Sequence, residues 1–196
     1  MPFLASALVI AFLASGCTDP VYTPKPRGYP KVNFPERGFQ RLDVDYCDFT
    51  FEYPSYAQIV QDTQFFEEKP LHPCWFDIYI PAFDSRLHCS YIPVTKQKSF
   101  DELRSDAFDM ANWHNKKANY IEEAMVRNDY GANGTVFEFD GPVASPYQFF
   151  LTDSTHQQFF RASLYFNTQA RPDSLAPVYA FVKQDLERIL ETFEWK

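Results

Sequence analysis

Asp153-Ser154-Thr155-His156 puts a carboxylate, two hydroxyls and an imidazole into four consecutive positions. These are the side-chain types of nucleophilic hydrolysis. Sequence neighbours rarely form such a site, because nucleophile, base and orienting acid must converge from different directions. The stretch is therefore expected to be a polar hairpin turn in which Asp153 and Ser154 bond the local backbone. A hydrolase built on Asp153 and His156 would need the two side chains to meet in an open cleft. His72, Cys74, His88 and Cys89 are metal-ligating types, but their spacing matches no zinc pattern and no CxxC is present. Gly-x-Ser-x-Gly, Walker A, HExxH and the dinucleotide fingerprint are all absent. Six glycines in the whole chain supply few phosphate-cradling loops. No catalytic residue, metal or cofactor is expected, and the chain reads as a non-enzyme.

One cysteine carries a more specific signal. The run from Phe3 to Ala14 is apolar and has the length of a signal-peptide core, too short to span a bilayer as a helix. Ala14-Ser15-Gly16 then lead into Cys17. Small residues fit the narrow pockets of a signal peptidase, and the thiol after the cleavage point can take a lipid. Leu13-Ala14-Ser15-Gly16-Cys17 resembles the lipobox of bacterial lipoproteins. It departs from the usual pattern in having Leu four places before the cysteine rather than three, and Met1-Pro2-Phe3 lacks the usual basic residues. The expected organisation is a lipoprotein signal peptide over 1–16, a Pro-rich membrane tether over 17–40 with Cys17 as the lipidation site, and one α+β periplasmic domain over 41–196. Two or more acyl chains on Cys17 would anchor the chain stably. TPKPRGYPKVNFP reads as an extended, partly polyproline-like spacer.

Export would expose the remaining thiols to an oxidising compartment. Cys47 and Cys74 both sit beside turn-like sequence, whereas Cys89 lies in a strand-like run with Leu87 and Tyr91. A Cys47–Cys74 disulfide with Cys89 free and buried is the preferred arrangement, and the spacing leaves the other pairings open.

The elements that would position these residues are mostly strands. Aromatics make up 18% of the chain, with 21 Phe and 12 Tyr, a composition suited to a pleated, half-buried surface. Strands are predicted over 49–53, 75–80, 86–93, 134–139, 147–152 and 159–166, with 75–80 and 86–93 forming a hairpin. Ser99-Phe100-Asp101-Glu102 has the form of a capping box, followed by Leu103, Ala107, Met110, Ala111 and His114 at helical spacing. His114 is expected to be a packed edge residue. A closing helix is predicted from a cap at Asp173 or Ser174, with Pro177 early in it and Val178, Val182, Leu186, Ile189, Leu190 and Phe193 as its apolar stripe. Short connections favour an antiparallel meander. The fold class is α+β, an antiparallel sheet with packed helices, and the element order resembles a PsbP-like α/β sandwich. The aromatics of YQFFL and FFRASLYF are expected to be core, with a ligand cleft as the rival reading. A net charge of −8 argues against nucleic-acid binding.

Taken together, the chain resembles the gliding motility lipoprotein GldD family of the Bacteroidetes. The resemblance rests on YTPKPRGYP, FTFEYPSYA, PCWFDIYIP with RLHCSYIP, SPYQFFLTDSTHQQFFRASLYFN, DSLAPV and FVKQDLERILETFEWK, and it covers residues 20–196. It implies an accessory component of the gliding apparatus and of coupled type IX protein secretion. That component would be anchored at the periplasmic face of the inner or outer membrane and would contact other gliding or secretion lipoproteins and envelope proteins. The resemblance supplies no catalytic residue. Protein contact would run through exposed Tyr and Trp, Trp195 among them. Asp173-Ser174-Leu175 and Asp153-Ser154-Thr155 look like O-glycosylation motifs of exported Bacteroidetes proteins, with Ser174 and Ser154 as acceptors. The alternative function is a lipoprotein that holds a small or lipidic ligand in an aromatic pocket.

Overall fold

The computed structural model describes residues 31–61, 70 and 72–196. The expected signal peptide, Cys17 and the tether up to residue 30 lie outside the described residues. Eleven strands and two α-helices are described: β1 (Phe39–Arg41), β2 (Phe49–Thr50), β3 (Glu52–Pro54), β4 (Gln58–Gln61), β5 (Trp75–Ile80), β6 (Ser85–Pro93), α1 (Phe100–Asn112), β7 (Tyr120–Arg127), β8 (Asn133–Asp140), β9 (Tyr147–Thr152), β10 (Gln158–Phe166), α2 (Pro172–Thr192) and β11 (Glu194–Trp195). Seven of the strands form one sheet in the order β4-β5-β6-β10-β9-β8-β7. Every neighbouring pair in it is antiparallel. The fold is α+β. It consists of two meanders, β4–β6 and β7–β10, joined by the β6–β10 pairing, with α1 in the connection between them.

Alternation decides which side chains meet which helix. Phe76, Ile78, Ile80, Leu87, Cys89, Tyr91, Phe149, Leu151, Phe160, Ala162 and Leu164 face Val178, Val182, Leu186 and Ile189 of α2. On the opposite face Phe137, Phe139, Phe150 and Phe159 meet Leu103, Ala107 and Ala111 of α1. Ser99 caps α1 as a full capping box: its hydroxyl accepts from Glu102 N and Glu102 Oε2 accepts from Ser99 N. The α2 side is sealed by an aromatic layer in which Phe49, Phe160 and Phe193 lie with ring centroids 4.9–5.1 Å apart. Gly134 of β8 is needed by close approach, since a Cβ there would fall 1.8 Å from the Phe150 carbonyl oxygen.

Several predicted elements differ from the structure. Residues 49–53 are two short strands, not one: β2 pairs with β11 and β3 pairs with β1. The chain changes partner at Phe51, whose ring is fully buried. β7 was not predicted. It is the sheet's edge, mostly exposed on both faces, with Met125 93% exposed, so it carries no alternating pattern. α2 starts before Asp173, with Pro172 at its first position and Arg171 as N-cap without a side-chain cap bond; Pro177 is internal. The fixed φ of Pro172 pre-sets the helical turn and outweighs the capping tendency of the residues after it.

Residues 34–40, which composition assigns to the Pro-rich tether, pack on the folded unit, which begins at Lys31. Phe34 lies 4.9 Å from the Phe181 ring. Arg37 Nε donates to Asp185 Oδ1 at 3.1 Å, its Nη2 donates to the Phe181 carbonyl at 2.9 Å, and its guanidinium lies 4.2 Å from the Phe181 ring centroid. The Tyr56 hydroxyl donates to the other Asp185 oxygen. Asp185 is 1% exposed, and burial pushes its carboxyl above the usual range against the opposing pull of Tyr56 and Arg37. A carboxyl raised in the folded state favours folding when protonated, and that contribution is lost as pH rises through its folded value. Arg37→Met leaves the buried carboxylate without its cation and should cost about 2–3 kcal/mol at neutral pH. The cost should shrink on acidification, as Asp185 takes up a proton. Urea melts of both proteins at neutral and mildly acidic pH check this, and a cost that grows on acidification would refute it.

Candidate functional site

α1 covers β8, β9, part of β10 and the end of β6 at Ile92, but leaves β5 and the rest of β6 on the same face open. A groove of about 770 Å³ remains there, within the range of small-molecule sites. Register defines its floor. Trp75 of β5, Ser90 of β6 and Arg161 of β10 lie in one row, and Asp77, His88 and Ser163 lie in the next. Gln148 of β9 continues that second row beneath α1. The wall comes from α1 and the turn after it, through Leu103, Asp106, Met110, Trp113 and His114.

The groove's charges are unevenly matched. Asp77 receives Arg86 Nη1 at 3.2 Å and lies 2.5 Å from His88 Nδ1. Asp106 has Lys98 at 4.0 Å. Arg161 forms no ion pair among the described residues; its Nη2 donates to Gln148 Oε1 at 2.9 Å. Burial lowers its proton affinity, yet a guanidinium stays charged in proteins. His114 packs against Phe139 at 5.0 Å, and burial followed by the Arg161 charge lowers its pKa, which favours the neutral ring. It is a packed edge residue.

The other residues singled out by sequence fall in separate places. Asp153 Oδ1 accepts from Gln157 N and Gln158 N at 2.8 Å, and Oδ2 accepts from Thr155 N at 3.1 Å. His156 stacks on Phe100 with ring centroids 4.3 Å apart, in the left-handed region at φ +56. The carboxylate is spent on the turn and the imidazole on an aromatic face, so the two do not meet. Ser154 and Ser174 are exposed. Cys47 and Cys74 are bonded, with Cα atoms 5.2 Å apart. Cys89 is free and buried, and burial raises its thiol well above the ordinary value. His72 Nδ1 accepts from Cys74 N at 3.1 Å, while His88 lies on the face opposite Cys89. The sulfur of Cys74 is taken and these four residues do not converge. Trp195 packs on Phe49 and Phe193 and closes the core. Phe149, Phe150, Phe159 and Phe160 are core. Within FFRASLYF the sequence marks Arg161 only as a lone cation inside an apolar strand, a placement that is rare without a partner.

One antiparallel sheet between two helices, with a groove on one face, is an α+β architecture that many functions share. Residues 19–195 match the gliding motility lipoprotein GldD family, and the chain belongs to that family. This makes it a gliding-motility lipoprotein of the cell envelope. No curated protein matches the chain. Among solved structures, that of cyanobacterial PsbP (CyanoP) from Synechocystis sp. PCC 6803 gives a TM-score of 0.44 at 14% identity, covering 93% of this chain and 99% of that one. No helix among the described residues is long and apolar enough to cross a membrane.

The Cys47–Cys74 bond closes a loop of sequence separation 27. Cys47→Ser with Cys74→Ser should cost about 3 kcal/mol of stability. Denaturant midpoints of wild type with and without reductant, beside the double variant, check this. Unchanged midpoints would show that the cross-link contributes nothing.

Proposed function

We propose that the chain is a lipid-anchored accessory subunit of the gliding machinery and of its coupled type IX secretion, working through protein–protein contact at the periplasmic face of a membrane. Cys17 carries the lipid after the signal peptide is removed, and the Pro-rich residues that follow it hold the folded unit off the bilayer. Partners are other gliding or secretion lipoproteins and envelope proteins. Family membership supports the machinery. The observation that carries the contact reading is Trp113, 71% exposed beside the exposed Met110. Trp and neighbouring apolar side chains are the usual anchors of protein interfaces. Asp153 and His156, held apart in their turn, fit a non-enzymatic role. Ser154 and Ser174 are the acceptors for O-glycosylation.

The test is the secreted proteome of a deletion strain complemented with wild type, Cys17→Ala or Trp113→Ala. Cargo of the type IX system should vanish from the medium on deletion and return only with a chain that can be lipidated. Trp113→Ala should change stability by less than about 0.5 kcal/mol and still lower secretion. Normal secretion by the deletion strain would sink the subunit reading.

A further inference from the structure

Among the described residues, the groove beside α1 holds a cation without a counter-ion, and two polar groups next to it have no partner. Ser163 and Gln148 are each 2% exposed, and neither Ser163 Oγ nor Gln148 Nε2 has a hydrogen-bond partner among the described residues. They are neighbours across the β9–β10 pairing. Arg161, two residues before Ser163 on the same face of β10, spends one of its five N–H donors on Gln148 Oε1. Buried hydroxyls and amides are almost always paired, and a largely buried charge without a counter-ion is costly. The Arg161 guanidinium and the Ser163 hydroxyl both line the groove with donors unspent, a set complementary to an anion.

The acids nearby do not fill that role. Asp77 is held by Arg86 and His88, and Asp106 faces Lys98. The rest of the groove is largely apolar, with Trp75, Ile92, Leu103, Met110, Trp113 and Phe159 lining it. A fully hydrated inorganic anion would gain nothing from these walls, whereas an anion with an apolar body would bury that body against them.

We propose that this groove binds a small monocarboxylate with an apolar chain, its carboxylate received by the Arg161 guanidinium and the Ser163 hydroxyl and its chain laid along the α1 wall. Gln148 acts as a positioning residue that holds the guanidinium toward the groove. The groove shares Met110 and Trp113 with the partner contact proposed above, but ligand binding to the isolated chain is read without any machinery partner, so either proposal can fail alone.

Sodium decanoate, titrated into the purified full chain and followed by calorimetry and by Trp fluorescence, tests the proposal. Decanol, with the same chain and no charge, is the matched probe. Decanoate should bind at least about tenfold more tightly than decanol, because a charge-assisted pair replaces an unpaired donor set. Arg161→Gln should remove that preference and leave decanol binding unchanged. Ser163→Ala should weaken decanoate severalfold without lowering the melting temperature, since the hydroxyl it removes has no partner to lose. Equal binding of decanoate and decanol by wild type would overturn the proposal without need of any variant that must fold. Retention of the preference by a folded Arg161→Gln would overturn it as well. A short apolar peptide that outcompetes decanoate through its free C-terminal carboxylate, and not when amidated, would overturn the small-molecule assignment.

Discussion

A sheet with apolar side chains on both faces must be covered on both, and here the two covers are unequal. Seven strands at the usual spacing make a surface about 29 Å across. α2, with 21 residues, is assisted on its face by the β1–β3 and β2–β11 pairs and by the chain from Phe34 onward. α1 has 13 residues, about 20 Å of helix and about 10 Å of width, and is joined on its face by Val94, Ala118 and Val143 from adjoining loops. It seals Phe137, Phe139, Phe150 and Phe159, reaches β6 only at Ile92, and leaves β5 open. The remaining floor must be polar where it is wet and paired where it is buried. Asp77, Arg86 and His88 meet that demand among themselves; Arg161 and Ser163 do not. The groove is thus the direct outcome of one short helix on a wide sheet.

The covered face is closed by cross-links of several kinds that act far apart in sequence. The disulfide ties the loop before β2 to the start of β5. Arg188 of α2 donates to Glu52 at 2.6 Å, and Glu138 of β8 receives Lys183 at 2.6 Å and Tyr179 at 2.7 Å. Asn128, in the β7–β8 turn, donates to the carbonyls of Leu190 and Phe193 at the end of α2. Those carbonyls lack helical partners there. The side chain therefore serves as a C-terminal cap supplied from another element.

Much of this architecture could be read from residue order, and the parts that could not share a physical cause. WFDIYI and YQFFLT are bounded by Pro and turn residues and match β5 and β9; Ser99 and Glu102 announced α1 through a local capping geometry. β7 stayed hidden because an edge strand wet on both sides needs no alternation. The split of 49–53 stayed hidden because both halves are equally aromatic and only distant partners separate them. The start of α2 was masked by Asp173 and Ser174, good caps that lie inside a helix already begun by Pro172. The groove was the least legible part. Its chemistry comes from rows across β5, β6, β9 and β10, whose members are up to 88 residues apart (Trp75 to Ser163), and from what α1 fails to cover.

The clasp of Arg37 on Asp185 has a mechanical side. A pull applied to the chain from the N-terminal side of Lys31 reaches Val32 against the core, then Phe34 against Phe181, then Arg37 on Asp185 and the Phe181 carbonyl, and only then the β1–β3 pairing. The Phe34 and Arg37 holds grip one stretch of α2, residues 181–185, and Phe34 also touches Phe83 in the β5–β6 connection, so load enters mainly through the side of a helix rather than along the seven-stranded sheet. The groove lies across that sheet, on the face away from α2. A domain hung by this clasp can bear tension on one side while the shape of its other side stays fixed.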